Sequence, residues 1–307
     1  MRFQQIRSFI AVFEEGSFSK AAQRENATQS GMSMQIQKLE IDLGVQLFDR
    51  TSKGISSTSA GKRLYARAVD ILRDIKLAEA EAKASSESLD GKIVAGVLPA
   101  FSQSILAPTL VQFNEQYPNV EVSILEGFSP FLTEAVVRGD VDFAIIPIDA
   151  QRQGVRYQHF ASDREVLVSN TSSKWKHLEP VSLRQLQGLE LVLPTRGNAR
   201  RDRVDLILSE YGCVPVSVLE VDSLTAAQEL VANSEWTTIL PAIICARDLE
   251  SGRRKLHPIS QPKIPIDYVV VENQTTVTSD GTNLFLQMLK DQFEKSRGLW
   301  TNAVPDF

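Results

Sequence analysis

One stretch, residues 17–61, constrains this chain more than any other: SFSKAAQRENATQSGMSMQIQKLEIDLGVQLFDRTSKGISSTSAG. It predicts two helices separated by a break of only a few residues. Ahead of it, Phe3, Ile6, Phe9, Ile10 and Phe13 recur at three- and four-residue steps, which makes one apolar stripe along a helix. Glu15-Gly16 breaks that helix, and Ser17 or Ser19 caps the next, where Phe18, Ala21 and Ala22 are small or apolar enough for close packing. Asn26 and Ala27 form the turn, and Thr28 is a good N-cap for a helix running to about Leu43. On that helix Met32, Ile36, Leu39 and Leu43 share one face, and Gly44 ends it.

The other face of this helix is polar. Thr28, Gln29, Ser30, Ser33, Met34, Gln37 and Lys38 are left outward. Gln pairs with adenine, small hydroxyls reach several base edges, and a Met or Thr methyl touches a thymine methyl. Lys38 suits a phosphate, a contact that positions without specifying sequence. Leu47 and Phe48 anchor the next stretch. Arg50 to Thr58 then reads as a strand, a turn at Lys53-Gly54 and a second strand, with Arg50 and Lys53 meeting the sugar-phosphate backbone or the minor groove. The order is that of a winged helix-turn-helix, whose second helix enters the major groove of duplex DNA. The alternative is an ordinary helical hairpin with one polar face.

These residues resemble the amino-terminal domain of LysR-type transcriptional regulators. The matching positions are Gly16-Ser17-Phe18, Ala21-Ala22, Thr28-Gln29, Ser33, Gln35-Ile36, Leu39-Glu40, Leu43-Gly44, Leu47-Phe48, Arg50, Thr58 and Ala60-Gly61. The chain departs from the family pattern at Glu25, usually apolar, at Met34, often Arg, and at Ser57, usually Leu.

From Lys62 to Ser88 there is no Pro or Gly, and Leu64, Ala68, Ile71, Ile75, Ala78 and Ala82 alternate four and three apart. A helix of that length reaches ~40 Å. It reads as a dimerisation helix; the alternative is an amphipathic helix packed on its own domain. Ser85-Ser86-Glu87-Ser88 marks a hinge.

After Gly91 short β-branched strands alternate with helices. Strands are predicted over 92–97, 120–126 and 143–146, with helices over 105–116 and 131–138 between them. A second unit has strands near 165–169, 189–193, 216–221 and 238–240, with helices over 199–211 and 223–232. Strand 266–272 and helix 282–295 return to the first lobe. Crossovers fall near Ala161-Ser162 and Ile264-Pro265. The order of elements, with YPNV at 117–120 and RGDVDFAI at 138–145, resembles the periplasmic-binding-protein-like effector domain of the same family. The glycine-rich turn usual before the strand containing Leu240 is replaced by Asn233-Ser234-Glu235-Trp236.

The expected fold is thus α/β: an N-terminal winged helix-turn-helix (1–58), a long linker helix and hinge (59–90), and a two-lobed effector domain (91–307). Lobe I takes about 91–161 and 266–307, and lobe II about 162–265. Open α/β sheets bind ligands beyond the carboxyl ends of their strands, at helix N-termini. That rule selects Pro99, Ala100, Phe101, Ser102 and Gln103, then Phe128 and Ser129. In lobe II it selects Thr195, Arg196, Gly197 and Asn198, with Ser223 and Thr225. Free N–H groups and hydroxyls at helix starts favour an anion, most simply a carboxylate that Arg196 pairs with. Each of these residues, taken singly, is also a plain helix cap.

Charge supports the division of labour. The chain carries −5 overall, but residues 1–67 hold 10 Lys and Arg against 6 Asp and Glu, a net +4, and local sign decides whether a surface meets phosphate. No apolar run approaches the ~20 residues of a membrane span, and the start lacks a signal-peptide layout, so a cytoplasmic protein is expected. Cys213 and Cys245 have no partner motif. His159, His177 and His257 offer no metal-ligand spacing. No metal, cofactor or catalytic set is expected. An enzyme is the rival class, but the dinucleotide and P-loop glycine patterns are missing; a transporter's solute-binding protein is a further rival. The expected partners are promoter DNA and a small organic-acid effector. The family resemblance implies a homodimer, assembled further to a homotetramer, with RNA polymerase as a possible additional partner.

Overall fold

In this computed structural model, residues 2–51, 54–83, 89–148, 152, 154–275, 278–304 and 307 are described. They divide into two compact units, Met1–Ser85 and Ser86–Phe307.

The first unit contains α1 (Phe3–Glu15), α2 (Phe18–Arg24), α3 (Gln29–Leu43), β1 (Phe48–Thr51), β2 (Gly54–Ser57) and α4 (Ser59–Lys83). Gly16 ends α1 at φ 56, a left-handed conformation that costs glycine little. Asn26 takes the same region, φ 50, in the α2–α3 turn. Ile6, Phe9 and Ile10 from α1 bury against Ala21 and Ala22 and against Met32, Ile36 and Leu39. The ends of both expected stripes differ. Phe3 is 44% exposed, and Leu43, expected in the core, is 40% exposed. Gly44 ends the helix at φ 68, and Leu47 and Phe48 return the chain to the same core.

The wing is antiparallel, with Phe48 opposite Ser57 and Arg50 opposite Ile55. Thr58 ties it to α4: its hydroxyl donates to the Gln46 carbonyl at 2.8 Å and accepts from the Gly61 N–H at 3.0 Å. A Cβ on Gly61 would lie 2.3 Å from the Leu47 carbonyl oxygen, so only glycine fits there. Glu25 is ion-paired with Arg7 at 2.7 Å.

Helix α4 uses part of its apolar seam at home. Ala68 is fully buried with Val69 in the core of the first unit, and Leu64 and Ile71 pack against it. Tyr65 stacks on Phe13 at 4.0 Å and donates to Glu14 Oε1 at 2.8 Å. The first half of the predicted dimerisation seam therefore has an intramolecular partner; the side chains of Ala78 and Ala82 and the hinge 85–88 lie outside the described residues.

The second unit opens with β3 (Gly91–Val97) and α5 (Pro99–Phe101), continues through a π-helical turn (Ser102–Leu106), and then runs α6 (Ala107–Gln116), β4 (Val120–Glu126), α7 (Ser129–Arg138) and β5 (Phe143–Pro147). The next elements are β6 (Val155–Ser169), β7 (Val181–Ser182), a short 3-10 turn, β8 (Glu190–Leu193), α8 (Ala199–Glu210), β9 (Ser217–Glu220) and α9 (Leu224–Ala232). It closes with β10 (Thr237–Pro241), α10 (Ala242–Cys245), α11 (Asp248–Ser251), β11 (Lys255–Gln261), β12 (Pro265–Asn273) and α12 (Asp280–Ala303). Sheet order is β4-β3-β5-β12-β6-β10-β8-β9, with β11 beside β6 and β7.

Strand β6 runs through both halves, and the chain returns between β11 and β12, where the Glu165 N–H donates to the Ile264 carbonyl. β6 pairs with β12 from Val155 to Arg164 and with β10 from Glu165 to Val168. The sequence suggested strand only from about 165, because HFASDRE is polar enough to read as a connection; the ladder with β12 holds 155–164 extended, and β10 and β11 take over the pairing beyond it. Helix α12 likewise outruns its expected span, and its Trp300 is buried, donating Nε1–H to the Ala242 carbonyl at 2.8 Å. The turn at 233–236 is closed by side chains instead of glycine. Ser234 Oγ donates to Leu230 O at 2.7 Å, and Asn170 Nδ2 donates to Ser234 O at 2.7 Å.

Candidate nucleic-acid interface and ligand site

The polar face of α3 is built from its first residue. Thr28 Oγ1 accepts from the Gly31 N–H at 3.1 Å, filling one of the unpaired donors of the first turn. With the apolar side sealed by Met32, Ile36 and Leu39, the outward residues emerge as one strip. Thr28, Gln29, Ser30, Met34, Gln37 and Lys38 are exposed, and Ser33 is half-buried. Thr28 also meets Ser30 Oγ at 3.3 Å, so its hydroxyl is committed to shaping the helix start. Arg50 lies on β1, while the placement of its side chain, and all of Lys53, falls outside the described residues.

Glu40 does work that helix periodicity does not reveal. Its side chain is buried, and Oε1 accepts from the N–H groups of Leu47 (2.7 Å) and Phe48 (3.2 Å). A carboxylate on the last turns of α3 thereby fixes where the wing begins. A Glu facing inward beside Leu39 was the available signal.

In the second unit the selected turns behave differently from one another. Pro108 has no N–H to give Ser104, four residues earlier, and the helix there widens into the π turn. The Ser104 carbonyl is met instead by Arg247 at 3.4 Å. Ser102 and Gln103 lie on this turn half-buried, beside half-buried Pro99. Gln103 Nε2 donates to Thr225 Oγ1 at 3.0 Å, joining the turn after α5 to the first turn of α9. Phe101 is a correction. Its side chain is 0% exposed, with rings of Tyr268, Phe160 and Phe293 at 5.0–6.1 Å, so it supports the wall and presents nothing to a ligand; Ala100 is buried beside it. Phe128 is 41% exposed and Ser129 is buried.

The Thr195 turn already holds an anion of its own. Asp222 accepts from the Thr195 N–H at 2.9 Å and from its hydroxyl at 2.9 and 3.0 Å. Asn198 Oδ1 caps α8 through the Arg200 N–H, and Ser223 Oγ caps α9 through the Ala226 N–H. Gly197 supplies the turn at φ 87, and Arg196 is exposed. Several selected residues are thus engaged locally as caps.

Further groups at the crossover carry no sequence pattern. Glu165 is buried, and Arg200 Nε donates to its Oε1 at 2.8 Å while also meeting the Ile239 carbonyl. Asp163 Oδ2 accepts from the Ile243 N–H at 3.0 Å. As a residue Asp163 keeps some exposure, but its carboxylate is enclosed, and that desolvation pushes its pKa up to about 7 against the lowering by backbone hydrogen bonds. His257 is a core histidine: burial lowers its pKa to about 4, and Nε2 meets Ser169 Oγ at 2.8 Å. Among the described residues no group of His, Cys, Asp and Glu could hold a metal, and no helix is long and apolar enough to cross a membrane.

Two family profiles match the chain. One described as LysR substrate binding domain covers residues 86–294, and one described as Bacterial regulatory helix-turn-helix protein, lysR family, covers residues 3–62. The chain is 28% identical over 297 residues to the HTH-type transcriptional regulator GltR of Bacillus subtilis, spanning 97% of this chain and 99% of that protein. The solved structure of CrgA, a LysR-type transcriptional regulator from Neisseria meningitidis, is similar at a TM-score of 0.69 and 22% identity, covering 95% and 99% of the two chains. Full-length CbnR, solved with its target DNA, gives a TM-score of 0.55 at 22% identity, covering 95% and 100%. At these identities the structures establish likeness of fold alone.

Proposed function

The chain belongs to the LysR family of bacterial transcriptional regulators, and from that premise we propose how its own residues divide the work. It is a DNA-binding regulator with an effector-binding domain. In our reading α3 enters the major groove of a promoter, as the second helix of a helix-turn-helix does. Gln29, Ser30, Ser33, Met34 and Gln37 read base edges, and Lys38 and Arg50, with Lys53, hold phosphates. The capped, polar, exposed strip from Thr28 to Lys38 carries this assignment.

The effector is a small organic acid bound between the two halves of the second unit, near Ser102, Gln103, Arg196 and Thr225. Its binding changes the angle between the halves through differential affinity for two arrangements. Two copies pair through the far part of α4, beyond the portion buried in the head, and two such dimers form a tetramer; contact with RNA polymerase and work in the cytoplasm follow from the same role.

Gln29→Ala tests the DNA assignment. It is expected to cost about 1–3 kcal/mol on the operator and much less on unrelated duplex. Gel retardation of both duplexes at one fixed salt concentration measures the difference. Equal loss on the two would remove Gln29 from base reading.

A further inference from the structure

Helix α4 is 25 residues long, and one carboxylate sits where its angle on the other helices of the first unit is set. Glu14, near the end of α1, holds two other helices at once. Its Oε1 accepts from the Tyr65 hydroxyl of α4 at 2.8 Å, and its Oε2 accepts from Arg24 Nη1 of α2 at 2.6 Å. Arg24 Nη1 also reaches Glu15 Oε1 at 3.4 Å. The Glu14 and Arg24 side chains are 11% and 26% exposed, so water and salt screen this pair less than a surface pair. Burial works against the Arg24 charge, but the carboxylates of Glu14, Glu15 and Glu25 prevail and hold its pKa above the ordinary value.

The places of these groups along the chain matter. Arg24 is the last residue of α2, and Thr28 caps α3. Between them, Glu25 is paired with Arg7 of α1 and Asn26 makes the left-handed turn. Two ion pairs thus tie the approach to the DNA-reading helix to α1. On the other side Tyr65 stacks flat on Phe13, at 4.0 Å and 7°, while its hydroxyl meets Glu14. Leu64, Ala68 and Val69 bury beside it, a contact without a preferred direction. Apolar burial keeps α4 on the head; the ring stack and the directed hydrogen bond fix its rotation there.

Length multiplies small errors of angle. From Tyr65 the helix runs on to Lys83, a reach of ~27 Å at ~1.5 Å per residue. A swing of ~10° at the head moves the far end by ~5 Å, more than the ~3.4 Å rise of one base pair.

We propose that Glu14 is a positioning residue for DNA binding, gripping Tyr65 of α4 and Arg24 of α2 so that α3 keeps a fixed angle to α4. In a pair of copies joined through α4, that angle sets the distance between the two reading helices and hence the half-site spacing that is accepted. This effect requires the pairing through the far part of α4 proposed above and so rests on that reading. Base reading by a single head does not need the grip, because α3 is still seated by Met32, Ile36 and Leu39 and its approach by Arg7 and Glu25.

The test uses the full chain and duplexes built on a sequence that the wild-type protein selects from a random library. The half-sites are moved together or apart by up to about two base pairs, with a single half-site as reference. Gel retardation at one fixed salt concentration reads them all. Wild type is expected to favour one spacing by at least about tenfold over the extremes of the set. Tyr65→Phe keeps the ring stack and removes the hydroxyl. It is expected to lower that preference to about threefold or less, with single half-site affinity within about twofold of wild type. Glu14→Gln is expected to do the same, and should it fail to fold, Tyr65→Phe decides alone. Variants that keep the wild-type spacing preference, or that lose affinity equally on every duplex, overturn the proposal and leave the pairing standing. A wild-type protein that binds every spacing alike overturns the pairing through α4 and the proposal with it.

Discussion

Glu40→Ala is expected to destabilise the first unit by about 3–5 kcal/mol and to weaken binding to every DNA sequence alike. Two N–H groups, those of Leu47 and Phe48, lose a buried carboxylate acceptor at 2.7 and 3.2 Å. Neither gains water in exchange, because both residues are at most 4% exposed. The start of the wing then loses its fixed position against α3. Glu40→Gln keeps one acceptor oxygen without its charge and is expected to lose only about 1–2 kcal/mol. Calorimetry separates the two units. Trp175, Trp236 and Trp300 all lie in the second unit, so the transition followed by tryptophan fluorescence should stay where it is. A Glu40→Ala protein whose first-unit transition is also unmoved would remove the carboxylate from the account of the wing.

Asp163→Asn should have the opposite sign at alkaline pH. The Asp163 carboxyl titrates at about 7 in the folded chain, chiefly because burial disfavours its charge, against an ordinary value of 3.8. A raised acid binds its proton more tightly when folded. Its contribution to stability is complete below the ordinary value and is lost as pH rises through about 7. Three pKa units correspond to about 4 kcal/mol, and allowing for the partial exposure of the residue leaves about 2–4 kcal/mol. Asparagine can still accept from the Ile243 N–H and needs no proton to stay neutral. Urea unfolding of the second unit should therefore find Asp163→Asn near wild type at about pH 4 and more stable by that margin at about pH 8. A difference that does not change with pH would show the enclosed carboxylate to be well solvated.

Much of the first unit was legible because its signals are local. A cap acts on the turn that follows it, and an apolar stripe describes one helix, so Thr28, Gly16 and the Met32–Ile36–Leu39 face could each be read from a few neighbouring residues. The reading failed where a helix ended. Leu43 continues the periodicity but not the core: it is 40% exposed where Gly44 ends the helix, and Leu47 and Phe48 are the next residues to be buried. The seam on α4 is another such case. Spacing announces an apolar face without saying what covers it, and Ala68 and Val69 turn out to be covered by the head's own core.

In the second unit, the alternation of strands and helices located the turns at the strand ends but not what each turn does. Phe101 was placed at the site because it follows β3; only packing against Phe160, Tyr268 and Phe293 shows it to be wall. The pairs Thr195–Asp222, Gln103–Thr225 and Glu165–Arg200 join residues 27, 122 and 35 positions apart, and no periodicity spans such separations. Family, element order and the outward strip of α3 were therefore determined by the linear chain, since capping, turn formation and amphipathic burial act over a few residues. Which carboxylates are enclosed and which donors are already taken were decided only in three dimensions, because desolvation depends on what the rest of the chain packs around a group.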